Sequence, residues 1–186
     1  MSAEENIQQA LTTRFHYLEG KIRIMRQRRI FLEIEGSQFL EVFDYAVKNL
    51  GFGNLCAITG LDEGVQMAAL YHLADNKGVL LNIKTGASRD NPVFKTVTPY
   101  FPYAEIYERE MMDLLGIKID TLSPSHRYPL PDDWPMDEFP LRKDWKPKDR
   151  IQMTDDRSQR TEDRGQMTDD RRQRIEDGSR DIKDKT

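Results

Sequence analysis

Near the start of the chain, Ile7, Leu11, Phe15 and Leu18 recur at helical spacing across residues 3–18, with Glu4 and Glu5 in the first turn and Gly20 as a stop. KIRIMR and RIFLEIEG then alternate or cluster apolar residues around a polar QRR turn, which predicts two strands or a hairpin. Ser37 is placed to cap the next helix. Its apolar positions Phe39, Leu40, Phe43, Ala46, Val47 and Leu50 keep a 3.6-residue period until Gly51 and Gly53 end it. Three β-like runs follow, NLCAITGLDEG, QMAALYHLAD and GVLLNIKTG, separated by Asp-Glu-Gly and Asp-Asn-Lys-Gly turns, so an antiparallel meander is expected.

After Asn91-Pro92 a further helix is predicted from about Tyr103 to Leu115. It carries Tyr103, Tyr107, Met111, Leu114 and Leu115 on one face, Gly116 at its C-terminal end, and Arg109 and Asp113 as i,i+4 partners. Residues 117–148 are dense in proline, carry both tryptophans and have no period, which predicts an extended arm. The pattern as a whole predicts an α+β two-layer sandwich over residues 1–116, a mainly antiparallel sheet with helices on one face. The Pro/Trp-rich interaction arm at 117–148 and a tail at 149–186 follow it.

The tail is repetitive. From Gln152 it reads QMTDDRS, QRTEDRG, QMTDDRR and QRIEDGS, then a degenerate RDIKDKT. No two heptad positions form an apolar seam, so a coiled coil is not expected. All the aromatic residues precede residue 150, and the tail holds only Ile151, Met153, Met167, Ile175 and Ile182 as apolar side chains. With so little to bury, disorder is the expectation.

Of the 186 residues 38% are hydrophobic and 32% charged, with a formal net charge of −4, so one ordinary domain fits and a large multidomain enzyme does not. No run of about 18 apolar residues occurs and the N-terminus lacks a secretory pattern, so a soluble, cytoplasmic chain is expected. A single cysteine, Cys56, excludes an internal disulfide and a four-thiolate iron–sulfur or zinc site. Cys56 lies in an apolar run and reads as a buried, inert thiol. His16, His72 and His126 show no metal-ligand spacing, and Gly51 and Gly53 do not make a nucleotide loop. The acidic balance argues against nucleic acid as a partner. Glu105, Glu108, Glu110 and Asp113 form a carboxylate cluster, which the intervening Arg109 assigns to surface or interface ion pairing rather than to acid–base catalysis. Residue chemistry alone thus points to an interaction subunit with no cofactor and no catalytic centre. A hydrolase lacks a nucleophile–base pair, and an RNA-binding sheet lacks basic and aromatic residues on the strands.

Three blocks in fixed order sharpen this picture: YEREMMDLLGI at 107–117, HRYPLPDDW at 126–134 and FPLRKDW at 139–145. Together they resemble the signature of the 30 kDa subunit of respiratory complex I (NADH-quinone oxidoreductase), a family that includes subunits of membrane-bound, energy-converting nickel–iron hydrogenases. The similarity spans roughly residues 66–146. It assigns Glu108, Arg109, Glu110, Asp113 and Gly116 to the signature helix and its stop, and Arg127, Leu130, Pro131, Asp132, Asp133 and Trp134 to the arm. Pro140, Leu141, Arg142, Lys143, Asp144 and Trp145 close it. Where such chains carry Gly-His and then two arginines, this one has Thr121-Leu122 and His126-Arg127. Glu138-Phe139-Pro140 replaces a Gly-His-Pro, and the PDDWP wording resembles the hydrogenase-like branch.

The resemblance implies a cofactor-free, peripheral-arm subunit on the cytoplasmic side of the inner membrane, in a complex moving electrons from NADH or a similar donor to quinone with ion translocation. Its implied partners are a 49 kDa-like or hydrogenase large subunit and a small cluster-bearing subunit. Arg109, Arg127, Arg142 and Lys143 are expected to pair with partner carboxylates, Trp134 and Trp145 to fill partner pockets, and Asp113 to orient Arg109.

Overall fold

The computed structural model describes residues 2–122 and 127–147; the repeat tail and His126 lie outside them. Met1–Trp145 form one compact unit, and a second, Lys146–Thr186, falls almost wholly outside the described residues. The first helix, α1 (Ala3–Arg14), is opened by a capping box in which the Ser2 hydroxyl accepts from the Glu5 amide while the Glu5 carboxylate accepts from the Ser2 amide. It is shorter than the 3–18 expected. Phe15 leaves helical geometry, and a 3-10 turn (His16–Leu18) carries Leu18 into the core.

β1 (Ile22–Arg26) and β2 (Arg29–Glu35) form the expected hairpin, antiparallel with an irregularity at Met25. β2 runs straight into α2 (Gly36–Asn49), so the N-cap is Glu35, without a side-chain cap, and Ser37 lies inside the first turn. The reason is pairing: β2 stays in register with its neighbour to Glu35, leaving no room for a separate cap. β3 (Asn54–Asp62), β4 (Gln66–Ala74) and β5 (Leu80–Ser88) make the antiparallel meander. The sheet order is β1-β2-β5-β4-β3, and β2 and β5 lie parallel, Ile30 opposite Leu81 and Leu32 opposite Ile83. The sheet is therefore mixed, though mainly antiparallel.

Alternation places Ile30, Leu32, Leu81, Ile83, Tyr71 and Ile58 on one face, where Phe39 and Phe43 of α2 stack on Tyr71 at 4.4 and 5.7 Å between centroids. Short strands β6 (Val93–Lys95) and β7 (Lys118–Asp120) pair in parallel, bracketing α3 (Ala104–Leu115). α3 packs over β3 on the same face as α2. A Cβ at Gly60 would sit 2.6 Å from Leu115 Cδ1 and 2.9 Å from Met111 Cγ, so the helix reaches the strand because residue 60 has no side chain. The architecture is the α+β sandwich read from the sequence. Among the described residues, no helix is long and apolar enough to cross a membrane.

Cys56 corrects an expectation, since it is exposed. β3 is an edge strand, and a register shift between Leu55 and Ala57 breaks the alternation that would have turned the thiol inward.

Candidate interaction surface

The buried stripe of α3 is Ala104, Glu108, Met111 and Leu115, with Asp113 also buried beside it; Tyr103 stays half exposed. Two of the four acids, Glu108 and Asp113, therefore lie on the inner side of the helix and not on its surface. Glu108 is fully buried, and its carboxylate accepts from the Val97 amide and the Thr96 hydroxyl, both at 2.7 Å. It thereby fixes the loop after β6 to α3. Burial pushes its carboxyl above the ordinary range, against the lowering effect of those two donors.

Asp113 performs the equivalent task for the arm. Its Oδ1 accepts from Arg127 Nε at 2.6 Å and its Oδ2 from the Leu130 amide at 2.8 Å. Arg127 also donates through Nη1 to the carbonyls of Trp134 (2.6 Å) and Pro135 (3.1 Å), so one guanidinium gathers both ends of the 127–135 segment. The expected Arg109–Asp113 pair does not form. Arg109 turns back one helical turn to Glu105, at 2.6–2.8 Å, because Asp113 faces the arm and Glu105 lies on the exposed side.

The last signature block closes over the end of α3. Gly116 adopts φ +66°, and a Cβ there would lie 2.7 Å from the Phe139 ring and 2.8 Å from Arg142 Nη2. Arg142 donates from Nε to the Leu115 carbonyl at 2.7 Å and stacks on Phe139, while the Leu141 amide donates to the Leu114 carbonyl. These contacts satisfy carbonyls that a helix end leaves free. Asp62, at the end of β3, accepts from the Lys143 amide and pairs with Arg89, which reaches on to Asp144. Although burial alone would raise its carboxyl, the Lys143 amide, Arg89 and the Gly64 amide together hold it at about 2. Asp62 and Arg89 were absent from the sequence reading, since nothing local marks an acid in a turn as a receptor for a backbone amide 81 positions away.

The tryptophans also turn inward. Trp134 and Trp145 pack on each other at 6.0 Å, Trp134 donates to the Glu138 carbonyl, and Trp145 reaches the Glu138 carboxylate. Arg127 and Arg142 thus use donors, and both indoles make contacts, within the chain. Among the side chains the arm leaves outward are Pro131, Asp132, Asp133, Met136, Leu141 and Lys143; Met136 is 77% exposed and Leu141 57%. Glu110 is exposed beside Leu141 and lines a cleft of about 190 Å³ with Ile58, Gly60 and Leu114, whereas Pro140 is half buried. His72, bonded to Asn82 and Thr59, sits on the helix-free face of the sheet. Among the described residues no group of three or more His, Cys, Asp or Glu is placed to hold a metal ion.

This arrangement has counterparts. The family model described as respiratory-chain NADH dehydrogenase, 30 Kd subunit, matches residues 32–150. The chain is 32% identical over 141 residues to a subunit of the F(420)H(2) dehydrogenase of Methanosarcina mazei, covering 74% of this chain and 89% of that one. It is 26% identical over 152 residues to the membrane-bound hydrogenase subunit beta of Pyrococcus furiosus, covering 78% and 88%. A chain in the structure of a membrane-bound sulfane sulfur reductase, an archaeal respiratory membrane complex, superposes with a TM-score of 0.68 at 22% identity, over 81% of this chain and 89% of that one. The trypsin-resistant fragment of Nqo5 superposes with a TM-score of 0.56 at 22% identity, over 67% of this chain and all of that one. These two likenesses establish the shared fold.

Proposed function

The chain belongs to the respiratory-chain NADH dehydrogenase 30 kDa subunit family, and from that premise we propose that it is a peripheral subunit of a complex I-like, membrane-associated oxidoreductase, without a redox centre of its own. In this reading it stands on the cytoplasmic side of the inner membrane and holds a cluster-bearing subunit and a 49 kDa-like subunit in position. The complex moves electrons from NADH or a similar donor to quinone, coupled to ion translocation. Residues 1–116 serve as the folding unit, 117–148 as the interaction arm, and the tail as an appendage.

The observation that carries this reading is the use made of the signature residues. Asp113 with Arg127, and Gly116 with Arg142, hold the arm to α3 while Glu108 ties α3 to the loop after β6, and so present a pre-shaped arm whose outward side chains can meet a neighbour. A segment already ordered loses less conformational entropy on binding than a flexible one. Lys143, Asp132, Asp133 and Leu141 are the side chains we assign to the partner-facing side.

A second reading, the equivalent subunit of a membrane-bound, energy-converting nickel–iron hydrogenase, is favoured by the PDDWP block and by the hydrogenase relative. Affinity purification of the full chain from its native host, with mass spectrometry of bound proteins, separates the two. Flavin- and NADH-oxidising subunits support the first, a nickel–iron large subunit with hydrogen-dependent electron transfer supports the second, and an unaccompanied chain defeats both.

A further inference from the structure

The β1–β2 hairpin concentrates positive charge on an acidic protein. Lys21, Arg23, Arg26, Arg28 and Arg29 lie within nine residues, and Lys77, on the exposed β4–β5 turn, joins them at the same end of the sheet, where the Leu80 amide donates to the Arg28 carbonyl. None of the six forms a salt bridge among the described residues. Arg23 stacks on Phe31 and Arg29 donates to the Arg28 carbonyl, while the one nearby buried acid, Glu4, accepts from the Arg28 amide at 2.5 Å. Between Arg23 and Arg26 in the chain come Ile24, 39% exposed and on the face of its partner Ile30, and Met25, 63% exposed, the residue skipped by the strand register; Arg23 lies on the opposite face with Phe31.

Cations on an edge strand also serve to keep that strand from pairing with another chain. Here the strand is five residues long and already interrupted at Met25, so it needs little further protection. Edge protection also leaves the exposed Met25 without a purpose. An anionic membrane fits less well, because two partly exposed aliphatic side chains bury far less than one acyl chain, and a single acyl chain anchors only marginally. The exposed Met25, flanked along the chain by Arg23 and Arg26, has instead the character of a protein contact: an apolar anchor beside charged groups whose planar forks match carboxylates.

We infer that the β1–β2 hairpin is a docking surface for an acidic face of a neighbouring subunit, with Met25 seated in an apolar pocket there and Arg23, Arg26 and Arg28 paired to its carboxylates. This rests on the subunit reading above and adds to it a second contact, distinct from the arm.

The test uses the full chain in the purified complex, with a photo-crosslinking amino acid at Met25 and, separately, the variant Arg23→Glu/Arg26→Glu. The expected result is an adduct mapped to an Asp/Glu-rich stretch of one co-purifying subunit, and about tenfold weaker retention of that subunit in the variant, a difference that shrinks with added salt. An unchanged circular-dichroism spectrum and melting temperature of the variant show that folding is intact. Adducts with lipid alone, with a second copy of the chain, or with nothing while the complex stays whole overturn the inference and spare the subunit reading. Self-association of the charge-reversed variant with full subunit retention assigns the cations to edge protection and also overturns it. A chain that purifies alone removes both.

Discussion

Removing the Asp113 carboxylate strands a guanidinium. The side chains of Asp113 and Arg127 are 8% and 12% exposed, and the carboxylate accepts two bonds, from Arg127 Nε and from the Leu130 amide. Breaking a buried ion pair from one side costs about 3–5 kcal/mol, much of it the unpaired charge that remains. Arg127 keeps its bonds to the Trp134 and Pro135 carbonyls, so about 3 kcal/mol is expected for Asp113→Ala. That is roughly a hundredfold rise in the opening of the arm, at about 1.4 kcal/mol per decade. Because the sheet and its α2 layer do not depend on this pair, the loss should be local. Native-state hydrogen exchange reads it directly: protection falls at the Leu130, Trp134 and Leu141 amides and persists at Tyr71 and Ile83. Asp113→Asn retains one acceptor and should fall between the two. A change under about 0.5 kcal/mol at the arm amides, or equal losses in the arm and the sheet, would refute the assignment of Asp113 as the staple.

Gly116→Ala combines left-handed backbone strain with a collision against Phe139 and Arg142, and is expected to destabilise by about 2–3 kcal/mol, read as a lower urea midpoint. Glu108→Gln tests the buried acid. Because the folded carboxyl is raised above the usual 4.5, its contribution to stability is full below that pH and is lost as pH rises through the folded value. The amide variant should therefore gain on the wild type over that interval, and parallel pH–stability curves would count against the assignment. Asp62 behaves in the opposite sense: held at about 2 against a usual 3.8, it stabilises above pH 3.8 and ceases to as pH falls toward 2, so Asp62→Asn should flatten that acid limb of the melting curve. Trp134 and Trp145 pack together, so Arg127→Met, by loosening the segment between Trp134 and the helix, should shift the indole emission to longer wavelength; an unshifted spectrum argues that the pair holds without the guanidinium.

The sequence by itself determined the main elements and their class, though not the short β6–β7 pair. The 3.6-residue stripe of α2, the hairpin around QRR and the three turn-bounded β runs each depend on neighbours within a few residues, where local sterics and burial patterning decide the outcome. The ordered signature blocks determined the family in the same way, through adjacency. Tertiary structure alone decided which strand lies beside β2, since the parallel β2–β5 pair joins segments about 50 positions apart, and nothing along the chain encodes that register. It also decided the partners of charge. Arg109 and Asp113 sit at ideal helical spacing, yet Asp113 points into the fold and finds Arg127, while Arg109 finds Glu105. Spacing predicts which side chains are near each other on an isolated helix, but it does not say which of them the rest of the protein removes from water. A carboxylate excluded from solvent takes the donor that desolvation leaves within reach, and for Asp113, Glu108 and Asp62 that donor came from outside their own helix or strand.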